Sequence, residues 1–129
     1  MIATSLTLDT QEGDDRTFSL QRYTADGSVR LDAATTLALP RTLTIRHSVQ
    51  GVGPDAIDRH LIQAAEVVAD TGKLRSIVVN LTIQVPRSSV VTNQMVHDLL
   101  ANVGDFVLDG NLPASPDFTN VDAILRGES

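Results

Sequence analysis

The chain is predicted to be an α+β protein in which an amino-terminal β-hairpin and an antiparallel β-sheet precede two carboxy-terminal α-helices. Period-two runs rich in Thr, Val, Ile and Leu fill the first two-thirds, with turn residues between them, and after Pro86 the apolar spacing changes to about 3.6. A length of 129 residues without cysteine predicts one domain, 1–129, with strands in 1–87 and helices in 88–129, and neither disulfides nor thiolate metal sites.

Ile2 to Asp9 reads as the first strand, Gln11 to Asp15 as a turn and Thr17 to Thr24 as the return strand. In that strand Phe18, Leu20 and Arg22 share one face, and Ser19, Gln21 and Tyr23 the other. Asp26-Gly27 predicts a tight turn, with Gly27 taking a positive φ, so Ser28 to Asp32 pairs back. Arg41 to Gln50 alternates Leu43, Ile45, His47 and Val49 with Thr42, Thr44, Arg46 and Ser48, as in a sheet covered on one side only, and Gly51 to Pro54 ends it. Ile57 to Ala69 fits helical spacing too, but Asp70-Thr-Gly-Lys73 is a hairpin turn into Leu74 to Val85, so a strand is expected. That last strand carries Ile77, Val79, Leu81, Ile83 and Val85 on one face.

Ser89 or Thr92 caps a helix whose apolar positions are Val91, Met95, Val96, Leu99, Leu100, Val103 and Phe106. Asp109-Gly-Asn111 with Pro113 breaks the chain. Ser115-Pro116 opens a second helix with Phe118, Val121, Ile124 and Leu125 as its stripe and Gly127 as its carboxy-terminal cap. Two short helices cannot cover both faces of such a sheet. An apolar face left in water costs about 25 cal/mol per Å², so either the helices fold back on their own sheet or they reach across to a second copy, for which a two-fold dimer is the commonest closed arrangement.

Catalytic chemistry finds no support. His47, His60 and His97 lack ligand spacing, the acids around Asp14-Asp15 lack the pattern of a calcium loop, and no phosphate loop or nucleophile elbow occurs. No enzyme activity, cofactor or metal site is therefore expected. Asn80-Leu-Thr82 matches a glycosylation sequon inside a strand. With no export signal and no apolar run near ~18 residues, a cytoplasmic protein without a membrane partner is expected. The net charge of −6 speaks against nucleic acid, but its distribution does not. Residues 1–40 sum to −3 and residues 88–129 to −5, whereas 41–87 sum to +2.

The strand Asn80-Leu-Thr-Ile83, an apolar helix, Leu108-Asp-Gly-Asn-Leu-Pro113 and a second short helix resemble, in order, the coat proteins of the single-stranded RNA bacteriophages, the levivirus family. Leu125 to Ser129 and Asp58 to Gln63 are similar to segments of its divergent members. The resemblance covers the last two-thirds of the chain. It implies an interlocked homodimer in which each copy's helices lie on the other's sheet. It further implies an icosahedral capsid, commonly T=3, assembled in the bacterial host cytoplasm around viral single-stranded RNA, and repression of translation through an RNA hairpin.

Carried over residue by residue, the resemblance puts Thr42, Thr44, Arg46, Ser48, Arg59, Leu61, Gln63, Ser76, Asn80 and Thr82 on the RNA side, with Val78 among them. Arg46 and Arg59 would neutralise phosphates, and Thr44, Ser48, Asn80 and Thr82 would bond bases or backbone. Two departures stand out: Ser76 falls where well-known members stack an aromatic on a loop base, and the Asp70–Lys73 turn is shorter than the family's loop. A reading from another class is a cytoplasmic oligomeric α+β domain that binds a ligand or catalyses through His47 or His60.

Overall fold

In the computed structural model, which describes residues 2–11, 13–108 and 118–128, the chain divides into two compact units, Met1–Ser88 and Ser89–Ser129. The first is a six-stranded antiparallel meander in which every strand pairs with its neighbour in sequence. The strands are β1 (Ser5–Asp9), β2 (Asp15–Thr24), β3 (Gly27–Asp32), β4 (Arg41–Gln50), β5 (Ile57–Asp70) and β6 (Lys73–Pro86). The second unit holds α1 (Asn93–Leu108) and α2 (Thr119–Leu125).

The expected elements are present, with differences at their ends. β1 begins at Ser5 rather than Ile2, and β2 at Asp15 rather than Thr17. The intervening turn is pulled tight when the Thr10 and Asp14 backbones bond at 2.8 Å and Thr10 Oγ1 accepts the Asp14 N–H at 3.1 Å. Ile57–Asp70 is a strand because both its edges are paired, and these two ladders outweigh its helical spacing.

Two expectations about β2 and β3 fail for physical reasons. Thr24 pairs with Gly27, so Ala25 and Asp26 form the turn and Gly27 is a strand residue without positive φ. Glycine is needed there for another reason: a Cβ would stand 1.8 Å from the Ile45 carbonyl oxygen. The predicted two faces of β2 also do not persist along its length. The register shifts between Leu20 and Arg22, so Leu20 opposes Arg30 whereas Arg22 opposes Val29. This bulge inverts the alternation, putting Arg22 on the face opposite to Leu20 and Tyr23 on the face of Leu20.

Burial concentrates around β3, which is flanked on both sides. Phe18, Val29, Leu43 and Ile45 are the buried apolar residues of these strands, with Arg30 and Asp32 among them. Arg30 donates from Nη1 to Ser28 Oγ and from Nη2 to the Ala3 carbonyl at 3.1 Å, which ties the amino-terminal segment to the sheet. Arg41 spans Asp32 and Glu66, with contacts of 2.7 Å to each. Burial alone would raise the Asp32 carboxyl, but the Ala34 N–H and the Arg41 guanidinium hold it below the ordinary carboxylate range.

β5 and β6 run in register over fourteen residue pairs. Thr71 (φ +44°) and Gly72 (φ +81°) form the two-residue turn between them, both in the left-handed region that suits the strand twist.

In the helical unit, Thr92 caps α1, its Oγ1 accepting the Met95 N–H at 3.4 Å. Gly127 (φ +84°) ends α2: its N–H donates to Ile124 at 2.8 Å and that of Glu128 to Ala123 at 3.0 Å. Asn120 Nδ2 donates to the Phe106 carbonyl at 2.9 Å, joining the two helices. The expected break at Asp109 to Asn111 and Pro113, and the Ser115-Pro116 start, lie outside the described residues. Among the described residues no helix is long and apolar enough to cross a membrane.

Candidate nucleic-acid interface

Opposed residues of an antiparallel ladder share a face, so the two registers decide which side chains of β4, β5 and β6 stand together. Thr44, Gln63 and Asn80 form one row across the three strands. Arg46, Leu61 and Thr82 form the next, and Ser48, Arg59 and Gln84 the third. Toward the other end Thr42 opposes Ala65, which opposes Val78, and Ser76 opposes Val67. All ten residues expected on the RNA side therefore lie on one face. Gln84 belongs to it as well and was not singled out.

Access differs along this face. Arg46, Ser48, Arg59, Ser76, Asn80 and Thr82 are exposed, whereas Thr42, Leu61 and Gln63 are half-buried. Thr44 is 8% exposed, so its hydroxyl is the least available of the set. Gln63 Nε2 donates to Asn80 Oδ1 at 2.9 Å. This leaves the Asn80 amide hydrogens and the Gln63 carbonyl oxygen for other partners.

Charge is sorted between the two faces. Every carboxylate on β5 points to the opposite, apolar face, and each is held by an arginine. Arg87 grips Asp58 at 2.8 Å, Arg41 grips Glu66 at 2.7 Å and Arg75 grips Asp70 at 2.6 Å. Hydrogen bonding from Arg87 and from Arg75 keeps the Asp58 and Asp70 carboxyls below their usual range. Three of the six central cations are thus spent locally, and the segment sum of +2 is what Arg46, Arg59 and Lys73 leave over Asp55. The polar face instead carries Arg46 and Arg59, which make no ion pair among the described residues, and no carboxylate from these strands. Arg22 joins this face through the β2 bulge, a shift that residue alternation alone does not reveal.

Along β6 the opposite face is apolar. Ile77 and Val79 are 58% and 65% exposed, and Leu81, Ile83 and Val85 are half-buried. β6 is also an edge strand, paired only with β5.

No protein-family model and no curated protein matches the chain. Solved structures do. The coat protein of bacteriophage EMS014 aligns with a TM-score of 0.74 over 99% of this chain and 98% of that one, at 14% identity. The virus-like particle of Beihai levi-like virus 21 gives 0.66 over 100% and 98%, at 9% identity. That of bacteriophage NT-214 gives 0.61 over 95% and 93%, at 19% identity. A sheet of six sequential strands followed by two helices, matched over nearly the whole of each chain, is thus the coat-protein fold of the levi-like RNA bacteriophages.

Proposed function

We propose that this chain is the capsid protein of an RNA bacteriophage, a structural protein rather than an enzyme, acting in the virion as a single coat-protein domain. Two copies form an interlocked homodimer, and dimers assemble in the host cytoplasm into an icosahedral shell of T=3 type around viral single-stranded RNA. Dimerisation is supported by two exposed apolar surfaces: the Ile77–Val79 side of β6, and the α1 stripe of Met95, Leu99, Val103 and Phe106. The helices of one copy cover the sheet of the other, and the two β6 edges pair to make the sheet continuous.

RNA lies along the polar face. The observation that carries this is the charge sorting: among the described residues Arg46 and Arg59 make no ion pair, on a face from which β4, β5 and β6 exclude every carboxylate. Phosphates meet the arginines, while Ser48, Asn80, Thr82 and the half-buried Thr42 and Gln63 supply hydrogen bonds to bases and sugar. Thr44, Leu61 and Ser76 complete the surface. With serine in place of a stacking aromatic, an RNA hairpin is held mainly by phosphate contacts, and translational repression depends on many weak contacts.

Expression in bacteria followed by electron microscopy and the ratio of absorbance at 260 and 280 nm tests the reading. Particles containing nucleic acid are expected. A monodisperse monomer free of nucleic acid would overturn it.

A further inference from the structure

His47 and His60 are thirteen residues apart in sequence, and the β4–β5 register puts them directly opposite on the apolar face. Their Nδ1 atoms are 2.9 Å apart, with ring centroids separated by 5.1 Å and planes inclined at 71°. We propose that this pair is a two-imidazole site for a divalent transition-metal ion, with Cu²⁺ preferred.

The preference follows from geometry and ligand type. Two nitrogens each about 2.0–2.1 Å from an ion are about 2.9 Å apart when they subtend a right angle, and about 3.3–3.4 Å apart in a tetrahedron. The 2.9 Å separation is that of neighbouring ligands in a square-planar or octahedral sphere. Imidazole in such a sphere suits Cu²⁺ and Ni²⁺, and Cu²⁺ stands highest in the affinity order of the divalent series. The two strands fix the backbones that carry the rings, since the His47 main-chain N–H donates to the Asp26 carbonyl at 2.7 Å and β5 is paired on both edges. In the single chain His47 is exposed and His60 half-buried, which leaves an entry path there.

Among the described residues no third His, Asp or Glu completes a cluster. Asp58 lies on the same face two residues from His60, but its carboxylate is engaged by Arg87 at 2.8 Å. Water therefore fills the remaining positions and the ion exchanges. The pair lies on the sheet face that the proposed dimer would cover, and metal binding is read separately from particle formation.

The test is titration of the purified full-length protein with CuCl₂ and with ZnCl₂ by calorimetry, combined with pulsed electron paramagnetic resonance of the Cu²⁺ form. One Cu²⁺ per chain, bound more tightly than Zn²⁺ and showing coupling to two imidazoles, is expected. His47→Gln and His60→Gln should each lose this binding while His97→Gln keeps it, with circular dichroism unchanged in all three. A signal from one imidazole only, or stoichiometric binding that survives His60→Gln, overturns the site. Absence of saturable binding does so too, and identifies the 2.9 Å contact as a hydrogen bond between a neutral donor ring and an acceptor ring.

Discussion

Arg41 and Asp32 meet at 2.7 Å where Asp32 is 2% exposed, and the same guanidinium reaches Glu66 on β5. One side chain thus joins the end of β3 to the long hairpin. Asp32→Asn keeps the shape but removes the charge opposing a partly buried cation, a change expected to cost about 3 kcal/mol in urea denaturation. The pH dependence has a definite sign. Because the folded carboxyl lies below its ordinary 3.8, its contribution is complete above that value and disappears as pH falls through the folded value. Stability of the parent should decline below about pH 4, and the Asn variant should show a flatter acid limb.

Arg46→Ala combined with Arg59→Ala removes the two cations that β4 and β5 place on the polar face. RNA affinity should fall, and the slope of log K against log salt should shrink by about 1.4, at roughly 0.7 per phosphate contact on a single strand. Filter binding at several salt concentrations measures it. Particle yield should hold, and an unchanged slope would remove RNA from this face.

Gly27→Ala forces a methyl group into the Ile45 carbonyl, so β3 and β4 must separate. A loss of about 3 kcal/mol or more is expected. Gly104→Ala is the matched control, because in α1 a Cβ meets nothing within 4 Å. It should gain about 0.5–1 kcal/mol by helix propensity.

Thr71 is a β-branched residue at φ +44°, a conformation that asparagine accepts more readily. Thr71→Asn should raise stability by about 1 kcal/mol, visible as a higher urea midpoint. The neighbouring Gly72 at φ +81° should tolerate no such exchange, and Gly72→Ala should lower the midpoint.

β4 and β6 were legible because each was bounded by Pro or Gly and largely alternated, so Thr42 to Ser48 and Ser76 to Thr82 could be assigned to a face before any register was known. What stayed hidden depends on long-range geometry. The bulge after Leu20 needs β3 beside it to be seen, and Arg22 was misplaced with it. Gly27 looked like a turn glycine because local sequence reports φ preferences and carries no trace of the Ile45 carbonyl. Charge counting along residues 41–87 could not separate Arg46 and Arg59 from Arg41, Arg75 and Arg87, since only strand parity tells which cations already hold a carboxylate.

The meander order of the sheet also bears on how the chain acquires its structure. No strand skips a neighbour, so during synthesis each new strand meets a partner that has already left the ribosome. Nearest-neighbour pairing keeps loop closures short, and the β2–β3 and β5–β6 hairpins, each closed by two residues, zip with the smallest entropic cost. The sheet can therefore grow from its first edge toward its last, and the growing edge is always the newest strand. β6 is the edge on which that growth stops within one chain, leaving its backbone groups free for a strand from outside.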